Sequence, residues 1–191
     1  MDKRWIPVAV AAVAVVLVLG LLASILLVPS AGGPQAGAHP AGGNPNVEAM
    51  RIGYLAPDFT LDSLAGGKLQ LSSLRGAHPV WVNFWTTWCG YCKVEMPEMA
   101  QLYSANKDKG LEILGVDDQE PPSSVQRYLQ GRGFSWNFLL DANGLVSNRY
   151  QLRGLPTHIF IGRDGVIQDV VVGGIERRQM ETEVAKLLGN N

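Results

Sequence analysis

The residue pattern predicts an α/β fold: a three-layer sandwich with a mixed central sheet, helices on both faces and an N-terminal β-hairpin extension. Three observations carry that expectation. Apolar runs of strand length alternate with helical periodicity between residues 79 and 140, which builds parallel strands joined by covering helices. A tight Arg163-Asp164-Gly165 turn then joins two further strands, so part of the sheet is antiparallel. An amphipathic helix closes the chain.

Taken in order, the chain starts with a short end, residues 1–5, that carries Lys3 and Arg4. Residues 6–28 have no charge and are almost wholly Ala, Val, Leu and Ile, about the length that spans a bilayer as a helix. Positive charge ahead of such a segment favours a cytoplasmic N-terminus. The expectation is therefore a single-pass signal anchor in the cell membrane, with the rest of the chain extracytoplasmic, periplasmic or on the outer face. A cleaved signal peptide is the alternative, and small residues at 30–32 suit a peptidase, but its apolar region is usually only about 7–15 residues. Residues 29–49 are rich in Pro, Gly, Ala and Asn and read as a flexible linker, with His39 solvated.

The domain is expected over residues 50–191. Phe59-Thr60-Leu61 and Leu69-Gln70-Leu71 alternate on either side of a Gly66-Gly67 turn, as a hairpin does. Residues 79–85 (PVWVNFW) read as a strand buried on both faces. Met96, Met99, Ala100 and Tyr103 recur at helical spacing, and the helix should stop near Lys109-Gly110. Pro97 inside it removes one helical hydrogen bond and is read as structural. Residues 111–116 give a second buried strand, residues 121–130 a helix opened by prolines and serines, and residues 138–140 a short strand. A helical turn follows Asn143-Gly144. Strands at 157–161 and 166–172 and a helix over 176–188 complete the chain.

A net charge of -1 over 191 residues, with no run of Lys or Arg, gives nothing that could follow a phosphate backbone, so nucleic acid is not an expected partner. Two cysteines only three positions apart cannot staple a domain of this size and instead mark a site.

Cys89 and Cys92 stand where a buried strand hands over to a helix. A sulfur at a helix N-terminus meets unpaired N–H groups and the positive end of the helix dipole, which favour the thiolate. Cys89 is thus the expected nucleophile. Cys92, one turn further on and deeper, is placed to attack Cys89 from within and resolve a mixed disulfide. Two electrons would then move through a redox-active Cys89/Cys92 disulfide with no other cofactor. A C-x-x-C pair also suits zinc, but zinc needs further ligands, and His39, His78, His158 and the carboxylates stand at no ligand spacing, so no metal is expected.

With these residues in view the chain resembles the thioredoxin superfamily, and within it the membrane-anchored TlpA/ResA/CcmG-type oxidoreductases, over residues 54–188. The resemblance is carried by Ala56-Pro57-Asp58-Phe59, by Phe84-Trp85 and Trp88 before the cysteines, by Pro97, and by Gly154-Leu155-Pro156-Thr157. It implies a cis Leu155-Pro156 bond that faces the sulfurs and leaves backbone groups free to hold an extended client segment. Trp88, Gly90 and Tyr91 would fit the client, with Trp88 partly exposed and Trp85 mostly core.

Thioredoxins carry a buried aspartate in the strand before the motif, where this chain has Asn83, and an amide cannot serve as the base. Glu95, which matches an acidic residue at the same offset in ResA-type proteins, is the candidate for that duty, with a solvated surface glutamate as the alternative. His158 is read as structural rather than catalytic.

The resemblance further implies a protein-disulfide reductase that takes electrons from a membrane thiol-disulfide carrier and reduces exported proteins such as apocytochrome c during cytochrome c maturation. Three rivals stay open. A disulfide oxidase or isomerase differs only in potential. A peroxiredoxin-like peroxidase shares the Ala56-Pro57-Asp58-Phe59 start and Thr86, but Val82 stands where its proline should be. A non-enzymatic copper chaperone would need a distant histidine, and His158 is poorly placed for it.

Overall fold

The computed structural model describes residues 42–189. The segments read as cytoplasmic end and anchor, and the linker up to residue 41, lie outside the described residues. Among those described, no helix is long and apolar enough to cross a membrane. The folded domain begins a little before the boundary expected at Met50. Leu55 bonds through its backbone to Val47 and Ala49 and bridges to Val166, so the last residues of the expected linker are part of the fold.

The elements follow the expected order: β1 (Thr60–Ser63), β2 (Lys68–Gln70), β3 (Val80–Trp85), α1 (Gly90–Asn106), β4 (Glu112–Asp118), α2 (Pro122–Leu129), β5 (Asn137–Asp141), α3 (Leu145–Arg149), β6 (Thr157–Ile161), β7 (Ile167–Val172) and α4 (Arg177–Gly189). The hairpin's second arm lies one residue earlier than read, because Leu71 opens a 3-10 turn (Leu71–Leu74) that takes its side chain into the core. α1 runs unbroken through Pro97 and ends in a 3-10 turn (Lys107–Lys109) closed by Gly110 at φ 95°, a left-handed conformation that favours glycine.

The seven strands form one sheet in the order β2-β1-β5-β4-β3-β6-β7. β3, β4 and β5 are parallel, while β1, β2, β6 and β7 pair antiparallel. β3 lies between β4 and β6 and is buried at every residue, as its unbroken apolar run requires. Its alternation divides the core. Trp81 and Trp85 join Ile113, Phe138, Phe160 and α1, α2 and α4 on one face, whereas Val80, Val82 and Phe84 join Leu114, Val116, Val146 of α3 and Tyr150 just after it on the other. Each large apolar side chain sealed in this way contributes roughly 1.5–3 kcal/mol of transfer free energy.

Candidate active site

β3 ends at Trp85, and four residues later Cys89 caps α1 with an extended backbone (φ -71°, ψ 113°). Its Sγ accepts the Cys92 N–H at 3.2 Å, so sulfur occupies the acceptor position that a capping oxygen usually fills. Cys89 and Cys92 are joined as a disulfide, with their Cα atoms 5.3 Å apart. Cys89 keeps 6% of its surface and Cys92 none, the order of depth that the sequence predicts.

Trp88 (69% exposed) and Tyr91 (73%), each next to a cysteine in the sequence, and Val94 are exposed apolar side chains just before and along the first turns of α1. Trp88 is more open than read, while Trp85 is fully enclosed between Tyr128 and Phe138. A Cβ added at Gly90 would meet nothing, so this position leaves room next to Cys89. The Leu155-Pro156 bond is cis. Leu155 packs on the apolar cluster that contains both cysteines, and the Pro156 carbonyl accepts the Gly173 N–H at 2.8 Å. Gly174 sits close to Tyr91, where a Cβ would lie 3.3 Å from the tyrosine Cβ.

Glu95 is buried, with 4% of its surface open, and is not a solvated surface glutamate. It follows Cys92 by three residues and shares the inward stripe of α1 with Met96 and Met99. Its Oε1 is 3.4 Å from Asn83 Nδ2 and 3.4 Å from His158 Nε2, and its Oε2 accepts the Ile175 N–H at 3.4 Å. Asn83 and His158 face one another in the β3/β6 register. The sequence reading of His158 as structural missed its contact with the carboxylate.

A pair of carboxyls, Asp117 and Glu120, supports the loop before Cys89. Glu120 accepts both the backbone N–H and the hydroxyl of Thr87, and Asp117 Oδ1 accepts the Glu120 N–H at 3.2 Å. Burial pushes the Asp117 carboxyl up to about 8, and the hydrogen bond with Glu120 and its charge add to the effect. Sequence reasoning passed over Asp117, Glu120 and Thr87. The available signal was an acidic run, Asp117-Asp118, at the end of a buried strand. Among the described residues no group of three or more His, Cys, Asp or Glu is arranged to hold a metal ion.

Residues 52–170 match the AhpC/TSA family. The chain is 35% identical over 139 residues to the thiol-disulfide oxidoreductase ResA of Geobacillus kaustophilus, covering 73% of this chain and 79% of that one. It is 38% identical over 131 residues to ResA of Halalkalibacterium halodurans, covering 69% and 74%. Among solved structures, it resembles a secreted Mycobacterium tuberculosis disulfide oxidoreductase homologous to E. coli DsbE (TM-score 0.62, 26% identity, 68% of this chain and 96% of that one). It also resembles a thiol:disulfide interchange protein of the thioredoxin family from Chlorobium tepidum (TM-score 0.64, 27% identity, 71% and 96%).

Proposed function

The chain belongs to the AhpC/TSA family and is a thioredoxin-fold thiol-disulfide oxidoreductase, and from that premise we propose that it works as an extracytoplasmic, membrane-tethered reductant of disulfides in exported proteins. The observation that supports this most directly is the placement of Cys89 Sγ as the cap of α1, with Cys92 sealed beneath it.

In the reduced enzyme the same N–H groups and helix dipole favour a Cys89 thiolate. That thiolate attacks one sulfur of a client disulfide, the other client sulfur leaves as a thiolate, and a mixed disulfide forms on Cys89. Cys92 then attacks Cys89 Sγ and the first client sulfur departs. The client gains two electrons, and the Cys89/Cys92 pair becomes the disulfide. Cys92 must lose its proton for the second attack, and Glu95, on the same buried stripe, is our candidate acceptor for that proton.

The exposed apolar side chains of Trp88, Tyr91 and Val94 suit an unfolded client with apolar side chains, with Gly90, Leu155 and Pro156 bordering the place where its cysteine would lie. An apocytochrome c is a client of that kind, and a membrane thiol-disulfide carrier would re-reduce the enzyme. Residues 6–28, apolar and free of charge, would hold it at the membrane.

Capture tests the reading. A Cys92→Ser variant, unable to resolve, is expected to accumulate exported proteins on Cys89 as mixed disulfides that a reducing agent releases. The direction of flow is read from the potential of the Cys89/Cys92 couple: a value as oxidising as about -120 mV would make the protein an oxidase.

A further inference from the structure

Resting on the reading of Glu95 as proton acceptor, we propose that His158 is a positioning residue for it: a pre-set donor that holds the carboxylate for exchange with Cys92. The case starts from β6 (THIFI), buried at every position, where a histidine is followed by three apolar residues. A ring enclosed to 0% exposure must find partners for both nitrogens or leave a polar atom stranded.

Nδ1 is claimed from two sides. Trp81 Nε1 lies 3.3 Å away and Asn83 Nδ2 lies 3.2 Å away. An indole nitrogen can only donate, and the Asn83 nitrogen that reaches Nδ1 also reaches Glu95 Oε1, so both neighbours present hydrogens. Nδ1 is therefore the acceptor, and the ring hydrogen sits on Nε2. Nε2 makes no hydrogen bond elsewhere among the described residues and stands 3.4 Å from Glu95 Oε1. That distance is contact rather than a closed bond, and a small swing of the carboxylate closes it, as catalytic hydrogen bonds tighten on reaction.

The arrangement fixes which hydrogen faces Glu95. Trp81 also packs against the His158 ring with centroids 5.8 Å apart, and Phe160 stacks on it at 6.4 Å, so the ring has little room to turn. Glu95 is thereby held between His158 and Asn83 on the sheet and Ile175 on the loop after β7. That loop also carries Gly173, bonded to Pro156, so the carboxylate is tied to the segment that borders the client. Ionisable groups on neighbouring elements face elsewhere: Glu98 pairs with Arg177, Glu183 with Lys186, and Asp117 bonds to Glu120.

During resolution the proton leaves the Cys92 thiol for Glu95, the Cys92 thiolate attacks Cys89 Sγ, and the client sulfur leaves with the electron pair of the broken bond. His158 gives up no proton in this cycle. It supplies the hydrogen bond that keeps the acceptor oxygen in place.

The experiment follows the reduced enzyme reacting with an aromatic disulfide such as dithiobis-nitrobenzoate, whose second released thiolate reports the attack of Cys92, across pH. Glu95→Gln is expected to slow that second release by about tenfold or more and to move the midpoint of its pH profile. His158→Leu is expected to do the same, the double variant is expected to be no slower than either single one, and His158→Gln, which keeps an amide donor, is expected to recover most of the rate. Should His158→Leu fail to fold, His158→Asn, too short to reach Glu95, is read in its place. A slowed Glu95→Gln beside an unshifted His158→Leu overturns the inference and leaves the role of Glu95 standing. Wild-type resolution in Glu95→Gln overturns both.

Discussion

Glu120 holds Thr87 by two hydrogen bonds, from the backbone N–H at 2.5 Å and from the hydroxyl at 2.6 Å, so a carboxylate after β4 fixes the loop that delivers Cys89. Hydrogen bonds to a charged acceptor are the stronger kind, each worth about 1.5–3 kcal/mol net. Removing the acceptor strands both Thr87 donors in a half-buried setting. Glu120→Ala should therefore destabilise the domain by about 2 kcal/mol at mildly acidic pH, read from urea unfolding. Glu120→Gln, which keeps one acceptor oxygen, should cost less.

The neighbouring Asp117 makes stability depend on pH. Its carboxyl is pushed from 3.8 to about 8 in the folded state by burial, then by Glu120. Between those values the folded chain holds a proton that the unfolded chain has lost, so stability falls as pH rises. The stabilisation is complete below the unfolded value and is lost as pH passes through about 8. Asp117→Asn, which cannot ionise, should flatten that slope, and urea midpoints from about pH 5 to about pH 9 would show it. A slope equally steep in the variant would assign the effect elsewhere.

Much of this was legible in the sequence where chemistry is local. The apolar run into β3, the cysteine spacing and the turn at Gly165 each follow from neighbours a few residues apart. The surroundings of Glu95 were not, because Asn83 and His158 meet only through the antiparallel β3/β6 register, 75 residues apart in sequence. A signal did exist. Asn83 interrupts VWVNFW and His158 interrupts THIFI, and a polar side chain inside a buried strand needs a partner. Glu95 also falls on the Cys92, Met96 and Met99 stripe, which argues for an inward glutamate. No reading of one element alone could say that these three residues partner each other.

Gly115 marks the same place in the sheet from the other side. It pairs with Asn83 across β3/β4 and with Phe138 across β4/β5. A Cβ there would come within 3.0 Å of the Phe138 ring and of Trp136 Nε1, so two aromatic rings use the space that a side chain would take. Replacing glycine by alanine in a strand usually gains about 0.5–1 kcal/mol. Here overpacking should reverse the sign, and Gly115→Ala is expected to lose about 1–3 kcal/mol in the unfolding free energy. A stabilised variant would mean that the rings give way freely.

The division of labour between the sulfurs makes its own prediction for the reduced protein. Cys89 has an opening to solvent and sits at the tip of α1, while Cys92 has none and lies against Trp85, Met96 and their neighbours in the core. An alkylating agent can meet Cys89 in the native state, whereas it can meet Cys92 only when the start of α1 opens, which the packing opposes. Cys92→Ser should thus be alkylated at mildly acidic pH faster than free cysteine, because the capped position favours the thiolate. Cys89→Ser should be alkylated at least about tenfold more slowly than Cys92→Ser, and mild denaturant should erase most of the difference by exposing the buried sulfur. Equal native rates would show that depth does not separate the two thiols, and the assignment of Cys89 as attacker would have to be given up.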